Sequence, residues 1–168
     1  IDPVGTILVP VLILASSSLL TGGGILLGWA KPVPVNFGQL RNPKKDMLWV
    51  ALAGPGANFV MALGWALLLK LATLMPDSAF ALPMAEMGKD GIRINAALMV
   101  LNLLPLPPLD GGRIAVSLLP HGAAWRFARL EPYGFVILLL LLFTGILGAI
   151  LGPLIFGFIH VILIAFGF

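Results

Sequence analysis

The chain has no cysteine. That excludes a disulfide framework and any cysteine-based metal site. Charge is also scarce: 10% of the 168 residues are charged and 60% are hydrophobic, with a mean hydropathy of +1.07. Soluble domains carry about a quarter charged residues. This composition therefore excludes an ordinary soluble domain and points to a polytopic membrane protein. No basic run is interleaved with aromatic residues, which speaks against a nucleic-acid partner. No basic stretch precedes the first apolar run, so the opening is not expected to be a signal peptide. The first residue is Ile1, in "IDPVGT", rather than Met, and the natural protein is expected to extend upstream. Histidine is confined to His121 and His160.

What is present is a series of apolar segments interrupted by proline and glycine. A hydrocarbon core about 30 Å thick needs about 20 apolar residues in a helix. Spans are expected near residues 3–20, 47–72, 92–109 and 133–151, and a further one at 153–168 if Gly152-Pro153 divides the tail. All belong to a single membrane-embedded domain, 1–168. The expected fold class is all-α, a polytopic membrane helical bundle with Pro/Gly-broken helices. A short extended segment is expected near residues 31–46, where Pro32, Pro34 and Pro43 oppose a regular helix.

Loop charge sets an orientation. Lys31, Arg41, Lys44 and Lys45 make the loop at 31–46 basic, and 113–131 is basic too, whereas 70–93 is balanced. The positive-inside rule places both basic loops in the cytoplasm and makes Arg41, Lys44 and Lys45 an orientation signal. Trp125, Arg126, Arg129 and Tyr133 read as anchors of an interfacial segment.

The stretch "NLLPLPPLDGGR", Asn102 to Arg113, interrupts the third apolar segment. An aspartate at the centre of a membrane helix costs about 3 kcal/mol. Pro105, Pro107 and Pro108 lack backbone donors, which frees carbonyls. Broken backbone at membrane depth survives only where protein or a water-filled cavity satisfies it. Gly111 and Gly112 let the chain turn or admit a close neighbour. Asp110 and Arg113 stand at i,i+3, a spacing that suits a plain ion pair. The residues alone leave ion pair, ion pathway and metal ligand all open.

The same stretch strongly resembles the Asn-x-x-Pro-x-Pro-x-Leu-Asp-Gly motif of the site-2 protease family of intramembrane zinc metalloproteases. "AGPGAN", Ala53 to Asn58, resembles that family's Gly-x-x-x-Asn element on the preceding span. "IDPVGT", "GWAKPVPVN" and "RNPKKDM" are similar to the compact bacterial and archaeal branch without a PDZ domain. The resemblance implies that Asp110 is the third protein ligand of a catalytic zinc. It implies that Gly54, Asn58, Asn102, Pro105 and Gly111 support the site, with the two asparagines orienting substrate or backbone. It implies a membrane-spanning protein substrate, the lipid bilayer as surroundings, and a prokaryotic cell membrane as location.

The family's other two zinc ligands and its general base come from a His-Glu-x-x-His motif on an earlier helix. This sequence contains no such motif, and neither His121 nor His160 has the required Glu beside it. The motif is expected upstream of Ile1, so the chain by itself is expected to be inactive. His121 reads as an interfacial loop residue and His160 as a tail-helix residue facing protein or headgroups. "KPVPVN" reads either as a Pro-rich connector or as a strand edge that pairs with an unwound substrate. Two other functions fit the broken helices and the single acid. One is a small transporter or channel subunit with Asp110-dependent flux. The other is a non-catalytic relative that binds membrane helices.

Overall fold

The computed structural model describes residues 42–168, which lie in one compact unit, Arg41–Phe168. The expected span at 3–20 and the extended segment over 31–41 lie outside the described residues. Among the described residues there are six helices and no strand.

Helix α1, Pro43–Leu74, starts where Pro43 supplies a preset helical φ in the first turn. The Asp46 side chain accepts a hydrogen bond from the Asn42 backbone N–H at 3.0 Å. That satisfies an otherwise unpaired donor and places an acid at the positive end of the helix. The last residues of the expected extended segment, 43–46, are thus helical, because a proline in the first turn starts a helix rather than breaking it. Pro55 sits inside α1 without ending it. The helix stops at Leu74, just before the Met75-Pro76 pair.

Helix α2, Ala81–Asn102, begins well before the span expected at 92–109. Its charged first half reads as a loop, yet the charges form exposed i,i+3 pairs along one helix face. Lys89 meets Glu86 at 2.9 Å and Arg93 meets Asp90 at 3.4 Å. It ends at Asn102 because Pro105 forces the preceding backbone out of the helix. Residues 103–109 are irregular, and the Pro107-Pro108 bond is cis.

Helices α3, Asp110–Leu118, and α4, His121–Ala128, are short. Arg129, just past the end of α4, holds its guanidinium 3.7 Å from the centre of the Trp125 ring, and Trp125 is exposed. Helices α5, Glu131–Phe143, and α6, Ile146–Ala165, complete the chain. The division of the tail falls at Thr144-Gly145, not at Gly152-Pro153. Gly145 takes a left-handed φ of 76°, which ends α5 and which other residues rarely adopt. Pro153 lies inside α6. Proline is tolerated in apolar helices where local adjustment satisfies the freed carbonyl.

The core runs along the α1–α2 pair and takes in α6. Ala62, Ala66, Leu69, Ile92 and Ile162 are buried together, and Trp65, Phe158 and Leu163 pack around them. The buried side of α1 is mostly small: Ala51, Pro55, Ala62, Ala66 and Ala72 beside Leu69. Large apolar residues face outward instead, among them Trp49, Phe59, Leu67 and Phe143. Small residues inside and bulky ones outside is the packing of helices in lipid, where close backbone approach replaces the drive to hide leucine from water. Among the described residues two helices, Pro43–Leu74 and Ile146–Ala165, are long and apolar enough to cross a membrane.

Two glycines fix the register of α1 on α2. A Cβ on Gly88 would lie 2.9 Å from the Leu69 Cβ, and one on Gly91 would overlap the Trp65 ring. The numbers rise on one helix as they fall on the other, so the pair is antiparallel. Gly91→Ala is expected to cost about 1–3 kcal/mol by overpacking. Gly148→Ala, where no atom lies within 4 Å of the added carbon, is expected to cost nothing. Unfolding of the two variants in one detergent, by heat or denaturant, checks the contrast.

Candidate functional site

The site is built where three segments converge: the first half of α1, the irregular stretch 103–109, and the first turn of α3. Asp110 is the first residue of α3 and is half-buried. Leu109 before it is extended, with φ −65° and ψ 159°, so the chain enters the helix abruptly. The backbone N–H groups of Gly112 and Arg113 both donate to the Leu109 carbonyl, at 3.0 and 3.3 Å. The positive end of the helix dipole thus lies at the Asp110 carboxylate.

Glycine makes this fold-back possible. A Cβ on Gly111 would overlap the carbonyls of Leu103 and Leu104, and one on Gly112 would overlap the backbone of Leu106 and Pro107. The first turn of α3 therefore lies directly on the proline stretch. From the other side Gly134 of α5 presses on the Pro107 carbonyl so closely that no side chain fits there. Gly134 carries no sequence signal of its own. A lone glycine after Pro132-Tyr133 gains meaning only once its neighbour is known.

The two motifs meet at Gly54. An ideal Cβ on Gly54 would stand 2.5 Å from Oδ2 of Asp110. The carboxylate therefore occupies the space that any other residue at position 54 would fill. Asn58 lies one helical turn further along α1 and is half-buried. Asn102 closes α2 and is half-buried too. Carried along both helices, the register set by Leu69–Gly88 and Trp65–Gly91 brings Asn102 level with Gly54 and Pro55. Pro105 is exposed in the irregular stretch.

The ion pair that the i,i+3 spacing of Asp110 and Arg113 allows, one of three readings left open, is not formed. Among the described residues the ion pairs within 4.0 Å are Lys89–Glu86 and Arg93–Asp90, and Asp110 is in neither. Arg113 is half-buried on α3. His121 is the exposed first residue of α4, helical rather than in a loop, and His160 is exposed on α6 with its ring stacked 6.3 Å from that of Phe156. Among the described residues no group of three His, Cys, Asp or Glu side chains stands together to hold a metal. Asp110 is a suitable oxygen donor in a glycine-lined recess, and zinc needs three protein ligands.

The chain is 34% identical over 157 residues to a Bacillus subtilis protein named "Putative zinc metalloprotease YwhC". That match covers 92% of this chain and 66% of the relative. It is 36% identical over 110 residues to "Putative zinc metalloprotease Rip2" of Mycolicibacterium smegmatis, covering 65% of this chain and 40% of that protein. The chain thus spans less than two thirds of the curated relatives it matches. No family model matches it, and no solved structure matches it significantly. The relatives define a class of metalloprotease. Within that class the chain belongs to the site-2 protease family, the one its proline-rich motif resembles.

The Gly54–Asp110 contact gives a sharp mutational contrast. Gly54→Ala drives a methyl group into the carboxylate, the end of a side chain that can swing away, and is expected to cost about 1 kcal/mol, the low end of overpacking. Gly56→Ala, two residues on with open space around it, is expected to gain up to about 1 kcal/mol from helix propensity. Parallel thermal unfolding of the two alanine variants measures both signs.

Proposed function

We propose that this chain is the core of an intramembrane zinc metalloprotease that cleaves membrane-spanning protein substrates. The observation that carries the reading is the contact of Gly54 with Asp110, which joins the two family motifs at one point. In this reading Asp110 is the third zinc ligand. Two histidines and a general-base glutamate come from a His-Glu-x-x-His helix outside these 168 residues. Zinc, when bound, supplies a Lewis acid and an activated water.

The chain's own part is to hold and shape. The first turn of α3 holds the Asp110 carboxylate at a fixed place against α1. Gly54 leaves room for that carboxylate. Gly111 supports it by letting the first turn lie on the proline stretch. Pro105 ends α2 and so brings irregular backbone to the site. Asn58 and Asn102, both half-buried at this end of the α1–α2 pair, have amide groups suited to orienting an unwound substrate backbone.

The outward-facing bulky residues and the two bilayer-length helices support embedding in a membrane. The basic segments 31–46 and 113–131 support a cytoplasmic placement for the Asp110 end, in a prokaryotic cell membrane.

The test uses a protein that also carries the His-Glu-x-x-His helix, reconstituted in lipid. Asp110→Asn is expected to lower zinc content and to reduce cleavage of a membrane-spanning substrate more than about a hundredfold. The 168-residue chain alone is expected to cleave nothing. Proteolysis by that chain alone, abolished by Asp110→Ala, overturns the assignment. So does Asp110-dependent ion flux without any bound zinc.

A further inference from the structure

By sequence Lys44 belongs with Arg41 and Lys45 as an orientation signal, but the structure sets it apart from Lys45. Its ammonium nitrogen donates to the Leu119 carbonyl at 2.6 Å, and the bond is part-buried and joins residues 75 apart. Lys45 is exposed.

Leu119 is the residue that caps the end of α3. Carbonyls at a helix C-terminus lack partners within the helix, and the dipole there favours a cation. Lys44 answers both needs at once. The other end of α3 is Asp110, against Gly54 of the same helix α1. Helix α3 is therefore tied to α1 at both ends, Leu119 to Lys44 and Asp110 to Gly54, and runs antiparallel to it. The lengths agree. From Lys44 to Gly54 the backbone rises about 15 Å, and from Asp110 to Leu119 about 13.5 Å, at 1.5 Å per residue. Little slack is left for α3 to slide.

We propose that Lys44 is a positioning residue: by clamping the C-terminal end of α3 to the start of α1, it sets where the Asp110 carboxylate stands against Gly54. The clamp is a property of this chain. Its bearing on metal binding rests on the reading of Asp110 as a ligand.

The absence of cysteine allows a clean test. Spin labels are placed at Trp49→Cys on α1 and Leu118→Cys on α3, both exposed. Distances are measured by electron paramagnetic resonance in lipid. Lys44→Met is expected to broaden and shift the distance distribution. Lys44→Arg, which keeps a long donor, is expected to restore it, and Lys44→Gln, a shorter donor, to fall between. Lys45→Met removes the same charge from the same helical turn and is expected to leave the distribution unchanged.

In a protein that also carries the His-Glu-x-x-His helix, Lys44→Met is expected to weaken zinc binding about tenfold, with recovery in Lys44→Arg. An unchanged distribution in both Lys44→Met and Lys44→Gln overturns the clamp. Equal effects from Lys44→Met and Lys45→Met also overturn it, since charge alone would then suffice. Should Lys44→Met fail to fold, the arginine and glutamine variants decide the same question. A shifted α3 with unchanged zinc binding keeps the clamp and sinks the ligand assignment instead.

Discussion

At Gly54 a carboxylate oxygen meets the backbone of a long helix with no room for a methyl group between them. Such closeness is possible only where the approaching backbone has no Cβ, and the same constraint recurs through the molecule. It lets α3 lie on the proline stretch at Gly111 and Gly112, and α5 lie on that stretch at Gly134. It lets α2 settle on α1 at Gly88 and Gly91. In lipid, helices gain little by hiding leucine from one another, so association rests on van der Waals fit and close approach. The glycines are therefore the fitted surfaces of the molecule, and the leucines and phenylalanines its coat.

Proline shows how much context decides. Pro43 begins a helix, Pro55 and Pro153 sit inside helices, and Pro105, Pro107 and Pro108 end one. A proline in the first turn has no donor to lose. A single proline within an apolar helix frees one carbonyl, which local adjustment can satisfy. Three within four residues leave no run long enough to resume the helix. Density rather than mere presence of proline breaks the chain at residues 103–109.

The all-α class was legible because composition and apolar run length carry it. Helix boundaries were less so. The charges of α2 looked like a loop because a count over residues 70–93 ignores their i,i+3 placement on one face. Gly145 was invisible as a break, since nothing in "FTGILG" marks its left-handed φ above its neighbours, while Gly152-Pro153 drew attention by composition. At the candidate site Asp110 stood out by its cost in an apolar setting. Its partner Gly54 came from family resemblance, because a glycine's meaning lies in what approaches it. Lys44 was hidden by its neighbours: three basic residues in five positions look alike until one finds a helix end 75 residues away.

The short length of α3 has a mechanical meaning. Helix α2 stops at the level of Gly54, and α3 covers the remaining stretch of α1 back to Lys44. Asp110 therefore lies below the level of Lys44 by one length of α3, about 13.5 Å. The helix works as a plumb line. Each residue added to it or removed would also turn Asp110 by about 100° about the helix axis and off Gly54, so only whole turns, about 5.4 Å each, would shift the carboxylate along α1 on the same face. The depth of the acid is thus written in the count of residues between Asp110 and Leu119.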